Sequence, residues 1–220
     1  MGLTRADLKS QLLQKILTTS ALDLPILTED QLKRSIQEIL QQKPDVSEVW
    51  VFGYGSLIWN PCLQYENRCV GKIYGWHRHF CLWTPIGRGT PENPGLVLGL
   101  ERGGSCQGVA YSIAAEHLEQ ELLLLWRREM VADSYIPRWV KVFFGQQVIN
   151  AIAFTINPNT PIYAKNLSTE IIVECLATAK GQLGSASEYL HQTIEGLRAA
   201  EIKDKHLFHL HREVALKQLS

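Results

Sequence analysis

The chain has 220 residues, 45% of them hydrophobic and 20% charged, which suits one sizeable globular domain and leaves too little chain for two. Lys plus Arg equals Asp plus Glu at 22 each, and the formal net charge of +0 excludes a general affinity for nucleic acid or an anionic membrane. The five cysteines are widely spaced with no C-x-x-C pair, the first residues lack a secretory apolar stretch, and no apolar run is long enough to span a bilayer; free thiols in a reducing cytoplasm are the expectation.

Residues 1–46 read as a helical extension packing on a body of residues 47–220. Thr4 is placed to cap a first helix with apolar positions at Leu8, Leu12 and Ile16. Pro25 interrupts it. Thr28 and Gln31 form a capping-box pattern ahead of Leu32, Ile36 and Leu40. This arm reads as a packing extension rather than a partner-binding arm.

Val49-Trp50-Val51-Phe52 is β-branched or aromatic and suits a buried strand. Gly53-Tyr54-Gly55-Ser56 follows, where missing side chains let a ligand approach and backbone N–H groups can converge on negative charge. A plain tight turn is the competing reading. A dinucleotide fingerprint is excluded because Ile58 stands where a third Gly is needed. A nucleophile elbow is excluded because no Gly lies two residues after Ser56.

Residues 69–74, 78–83, 96–100 and 108–113 read as four short strands, with Arg102-Gly103-Gly104-Ser105 a hairpin turn between the last two. Residues 84–95 form a loop, long for a mere connection. A helix spans about residues 116–132. Strands at 140–144 and 148–155 make a hairpin turning at Gly145-Gln146, and helices follow at 168–180, 186–199 and 204–219.

The middle helix carries an anomaly. Leu118, Leu122, Leu125 and Trp126 recur at helical spacing, and Glu129 continues their face. A carboxyl on a core-facing stripe either finds an arginine or is held partly protonated, the state a general acid/base needs. Both readings stand: catalysis, or an ion pair with Arg127, Arg128 or another arginine. His206, His209 and His211 suggest a metal at first sight, but no third ligand shares a helix face with the first two. They read as a solvated or core-lining face, with no metal expected.

The string Phe52-Gly53-Tyr54-Gly55-Ser56-Leu57-Ile58-Trp59-Asn60-Pro61 resembles the signature of the ChaC-type γ-glutamyl cyclotransferases. Further matches follow in order: Arg88-Gly89-Thr90-Pro91-Glu92, residues 94–100, residues 103–111, Arg128-Glu129-Met130 and Tyr135-Ile136-Pro137-Arg138-Trp139-Val140. The resemblance implies an α+β γ-glutamyl cyclotransferase-like fold, a small mixed barrel-like sheet surrounded by helices. It implies a cofactor-free, lyase-type cleavage of glutathione to 5-oxoproline and Cys-Gly, with Glu129 as acid/base. Cyclotransfer on other γ-glutamyl amines, or a non-catalytic binder keeping the pocket, are the alternatives.

The implied substrate contacts are Phe52, Gly53, Tyr54, Gly55, Ser56 and Leu57, with Tyr135, Arg88 and Tyr189 as further candidates. Tyr54 is read as a pocket wall or a hydrogen-bond donor. Ser56 is read as a ligand or turn hydrogen bond rather than a nucleophile, since cyclisation needs no acyl-enzyme. Arg88 is read as a fork for a substrate carboxylate or as an ordinary loop-to-surface arginine. Tyr189 sits in Gly184-Ser185-Ala186-Ser187-Glu188-Tyr189-Leu190, where related chains often carry Asn in place of these smaller polar residues. Oligomeric state is open, with a monomer favoured.

Overall fold

The computed structural model describes residues 2–20, 22, 24–44 and 48–219. The arm begins with α1 (Arg5–Lys9), α2 (Leu12–Thr19) and α3 (Glu29–Gln41). Thr4 caps α1 and forms a capping box with Asp7. Gln11 is left-handed at φ 56, so the expected single first helix breaks in two and α2 sets off in a new direction. Thr28 and Gln31 close the expected capping box on α3, which buries Leu32, Ile36 and Ile39.

The body follows as β1 (Val49–Gly53), α4 (Ser56–Trp59), β2 (Arg68–Thr84), β3 (Gly95–Ile113), a 3-10 turn at Ala115–His117 and α5 (Leu118–Glu129). Then come β4 (Tyr135–Phe144), β5 (Gln147–Ile156), α6 (Thr169–Thr178), the two-residue strands β6 (Lys180–Gly181) and β7 (Gly184–Ser185), α7 (Ala186–Ala199) and α8 (Lys205–Leu219). Among the described residues the first five strands close a barrel in the order β1-β3-β2-β4-β5. Closure comes from a parallel pairing that sets Trp50 beside Ala151 and Val51 beside Ile152; the other pairings are antiparallel. The β2–β4 seam is the thinnest, with Lys72 beside Phe143.

The four expected short strands between residues 69 and 113 are two long ones. Arg102-Gly103-Gly104-Ser105 is not a hairpin turn. Gly103 (φ 102) and Gly104 (φ 67) lie in β3 across from Gly75 (φ 80) in β2, and the register shifts between Tyr74 and Trp76. The extra residue bends the ribbon sharply without ending it. The reversal between β2 and β3 is the loop of residues 85–94, as the loop reading requires. The core of the barrel and its surrounding helices buries Val51, Phe52, Phe80, Leu98, Leu100 and Phe154, and Trp126 of α5 packs edge-on against Phe154 at 5.1 Å.

Two arginine–carboxylate forks tie the arm to α5. Arg5 donates to both carboxyl oxygens of fully buried Glu121 at 2.6 and 2.7 Å, and Arg127 donates to both of Glu29 at 3.1 and 2.5 Å. The helix that carries Glu129 is thereby clamped from outside.

Candidate active site

The glycine corner is built in layers. β1 ends at Gly53, Tyr54 and Gly55 turn the chain, and α4 starts at Ser56. Behind it, buried Arg78 of β2 donates to the Tyr54 carbonyl at 2.6 Å and to the Gln107 carbonyl, while its Nε meets Asp204 at 2.8 Å. Tyr111 donates to the Leu57 carbonyl at 2.9 Å. The corner's carbonyls are thus held from behind; the Ile58 amide donates to the Gly55 carbonyl at 3.0 Å, while the Ser56 and Leu57 amides open α4 ahead of any intrahelical acceptor.

A cavity of about 230 Å³ opens at this corner, lined by Tyr54, Gly55, Ser56, Leu57, Arg88, Glu129, Tyr135 and Tyr189 among others. Eight of the ten site residues expected from sequence therefore share one hollow. Phe52 and Gly53 do not line it. Phe52 is sealed inside the barrel, and a side chain at Gly53 would meet the Leu57 Cβ at 2.8 Å, so both support the corner from behind.

Glu129, the last residue of α5, faces the cavity with 14% of its side chain exposed. Burial raises its carboxyl above the usual range, and the Arg128 charge partly offsets this. Arg128 Nε lies 3.0 Å from Glu129 Oε1, yet that oxygen accepts no aligned hydrogen bond among the described residues. The contact is a charge pairing with poor direction. The other arms of Arg128 are well aligned: one donates to the Asn60 carbonyl at 2.6 Å and one to Ser56 Oγ at 2.7 Å. Arg128 therefore bridges the corner to the carboxyl. Neither sequence reading of Glu129 excludes the other, since it has its arginine and also faces a cavity.

Ser56 Oγ accepts from Arg128 and has no base beside it that would make it a nucleophile. Tyr54 donates to the Phe154 carbonyl at 2.8 Å and Tyr135 to the Leu98 carbonyl at 3.1 Å, so both rings act as walls with their protons engaged. Burial pushes both phenols well above their usual range, and the Glu129 charge adds to it. Tyr189 accepts the Leu98 amide at 3.4 Å, which leaves its own proton for a second partner; burial pushes it up to about 12. A Cβ on Gly55 would come within 3.0 Å of that hydroxyl, so the glycine is what lets Tyr189 approach. Arg88 is only 6% exposed and sits by the Ser185 carbonyl at 3.3 Å and Glu188 at 3.6 Å, a cavity position rather than a surface one.

Among the described residues no group of three or more His, Cys, Asp or Glu is arranged to hold a metal. His206 stacks on His79, His211 stacks on His191, and His209 approaches Glu213, so the three histidines serve separate contacts. No helix among the described residues is long and apolar enough to cross a membrane.

Residues 49–217 match the ChaC-like protein family. The chain belongs to that family. This ChaC-like chain is 43% identical over 162 residues to the glutathione-specific γ-glutamylcyclotransferase of Escherichia coli (strain K12), covering 73% of this chain and 70% of that one. It is 31% identical over 171 residues to the human glutathione-specific γ-glutamylcyclotransferase 1, covering 74% and 77%. A crystal structure of the yeast γ-glutamyl cyclotransferase specific to glutathione superposes with a TM-score of 0.71 at 23% identity, over 79% of this chain and 97% of that one, a likeness of fold. The barrel ringed by helices is thus the γ-glutamyl cyclotransferase fold.

Sequence reasoning passed over two parts of the ChaC-like site. Arg128 entered as part of the matching Arg128-Glu129-Met130 segment and as a competing partner for Glu129, with no role of its own at the corner. Arg78 stands at the head of the expected strand Arg78-His79-Phe80-Cys81-Leu82-Trp83, but no sequence pattern says that it braces Tyr54.

Proposed function

We propose that this chain is a glutathione-specific γ-glutamyl cyclotransferase in which Glu129 moves both protons. The α-amino nitrogen of the γ-glutamyl group attacks its own γ-carbonyl carbon. The new C–N bond closes the lactam of 5-oxoproline, and the old amide C–N bond breaks to release Cys-Gly. The attacking amine enters as an ammonium. Its nitrogen carries three protons and the lactam keeps one; Glu129 takes the other two in turn and passes each to the departing nitrogen, which leaves as the ammonium of Cys-Gly, so the carboxylate ends as it began.

A carboxyl raised by burial suits this exchange, because its proton affinity lies nearer those of the amine and the medium. Arg128 holds the carboxyl in place and limits how far burial raises it. The Ser56 and Leu57 N–H groups at the start of α4 receive the carbonyl oxygen as negative charge develops there; a single donor of that kind is worth roughly 3 kcal/mol in the transition state. Arg88 receives a substrate carboxylate. The walls of Tyr54 and Tyr135 hold the γ-glutamyl group bent, and attack within one molecule reaches effective molarities of order 10⁵ M or more. No covalent enzyme intermediate is required.

The observation that carries this reading is the Glu129 carboxyl: buried, paired off-axis with Arg128, and open to the cavity shared with the glycine corner. A pure binding protein has no use for such a group. The test is to incubate purified protein with glutathione and, separately, with γ-glutamyl-alanine, and to measure 5-oxoproline. Product from glutathione alone is expected. Product from both would widen the substrate class, and product from neither would overturn the assignment.

A further inference from the structure

The cavity wall is completed by residues that lie outside the family match. Leu13 and Leu17 of α2, and Leu24 beyond it, line the same hollow as Glu129, although the matched region begins at residue 49. Their placement is built, not incidental. The forks Arg5–Glu121 and Arg127–Glu29 fix the arm on either side of α2. Gln11 joins its side chain to Glu29 at 3.2 Å, Gln14 donates to the Leu27 carbonyl at 3.3 Å, and the Leu27 amide donates to the Val131 carbonyl at 2.9 Å. Val131 lies two residues past Glu129, so this last bond seats the arm on the end of the catalytic helix. Leu13 and Leu17 are four apart and share one face of α2, while Lys15, Thr18 and Thr19 are exposed.

We propose that α2 forms the wall of the active site that reads the residue following the γ-glutamyl group, and that Leu13 and Leu17 restrict it to a short, uncharged side chain. The inference rests on the cyclotransferase reading above. The polar groups of the cavity come from the body: Ser56 from α4, Arg88 from the β2–β3 loop, Glu129 from α5 and Tyr189 from α7. These suit the charged and reacting ends of the substrate. The arm offers leucine side chains, which have no polar atom. A charged side chain against them would lose its water without gaining a partner, and a long one would run into the leucine wall. A thiol-bearing or methyl-sized group would lose nothing there. Substrate class is thus set partly by a segment that relatives matched over the body need not share.

The experiment compares the wild type with Leu13→Ala, Leu17→Ala and, as a control on the solvent side of the same helix, Lys15→Ala. Each is assayed for 5-oxoproline from glutathione and from S-hexylglutathione. Leu13→Ala and Leu17→Ala should raise the ratio of kcat/KM for S-hexylglutathione over glutathione about tenfold or more, and should raise KM for glutathione while kcat moves less than about threefold. Lys15→Ala should match the wild type. A ratio unchanged in both leucine variants overturns the proposal.

Because Leu17 is buried, a second measurement avoids wall variants altogether. Hydrogen exchange on Glu129→Gln with glutathione bound should protect residues 12–19 as well as residues 54–57. Protection at residues 54–57 alone overturns the role of α2 and leaves the cyclotransferase reading standing. Wild-type protein that makes no 5-oxoproline from any γ-glutamyl donor overturns that reading, and this inference with it.

Discussion

Glu129→Gln tests the mechanism most directly. Glutamine keeps the side-chain volume, and Arg128 remains anchored by Asn60 at 2.6 Å and Ser56 at 2.7 Å, so the cavity should keep its shape. What is lost is the only carboxyl lining the cavity among the described residues. A positioned acid/base contributes about 10²–10⁴-fold to a rate. With deprotonation of the amine and protonation of the leaving group both assigned to this one group, a fall in kcat of about 10³-fold or more is expected, roughly 4 kcal/mol or more on the barrier. KM for glutathione should change little. The assay is 5-oxoproline formation by chromatography, with thermal unfolding to check the fold. Stability provides an independent readout. Burial raises the Glu129 pKa, so the folded chain holds this proton more tightly than the unfolded chain, and that difference costs stability as pH rises from the unfolded pKa through the folded one. Glutamine removes the cost, so the Tm of the variant relative to wild type should climb between acid and neutral pH. Activity within about tenfold of wild type in a folded variant would refute the assignment of proton transfer to Glu129.

Two further perturbations follow from the arginines. Arg128→Met removes the charge that lowers the Glu129 pKa, so the acid limb of the kcat/KM profile should move to higher pH, with a higher KM because Ser56 loses its partner; a limb that stays put would mean that a different group titrates. Arg5→Met leaves the carboxylate of Glu121 buried without its fork, which should cost about 3–5 kcal/mol. For a chain of this size the Tm should drop roughly 6–20 °C in a thermal melt. Burial raises the Glu121 carboxyl, but the Arg5 fork and the Gln64 amide outweigh it and hold the carboxyl below its usual range. Its contribution is present above the unfolded pKa and lost as pH falls through the folded one, so the gap between wild type and Arg5→Met should narrow in acid.

Short-range features were legible in the sequence to within a residue or two. The Thr4 and Thr28 caps form as their spacing requires, and α7 spans the expected residues. Hairpin punctuation was less readable. Gly103-Gly104 signals a reversal locally, but β2 runs alongside β3 on both sides of it, and that partner turns a reversal into a bend. Ser56 and Glu129 could each be singled out by type and position, while the arginine joining them could not. Arg128 differs from Arg127 only in which way its side chain leaves α5: one turns to the corner, the other to Glu29.

By itself the sequence determined the strand ending in two glycines, the capped helices and a carboxyl on an apolar helix face, because caps, turns and periodicity act within a few residues. Tertiary structure alone decided that Trp50 lies beside Ala151, that Arg78 supports the corner, and that leucines from the arm roof the cavity. Those contacts join residues far apart in the chain, and they exist only once the closed barrel has fixed where each element ends in space.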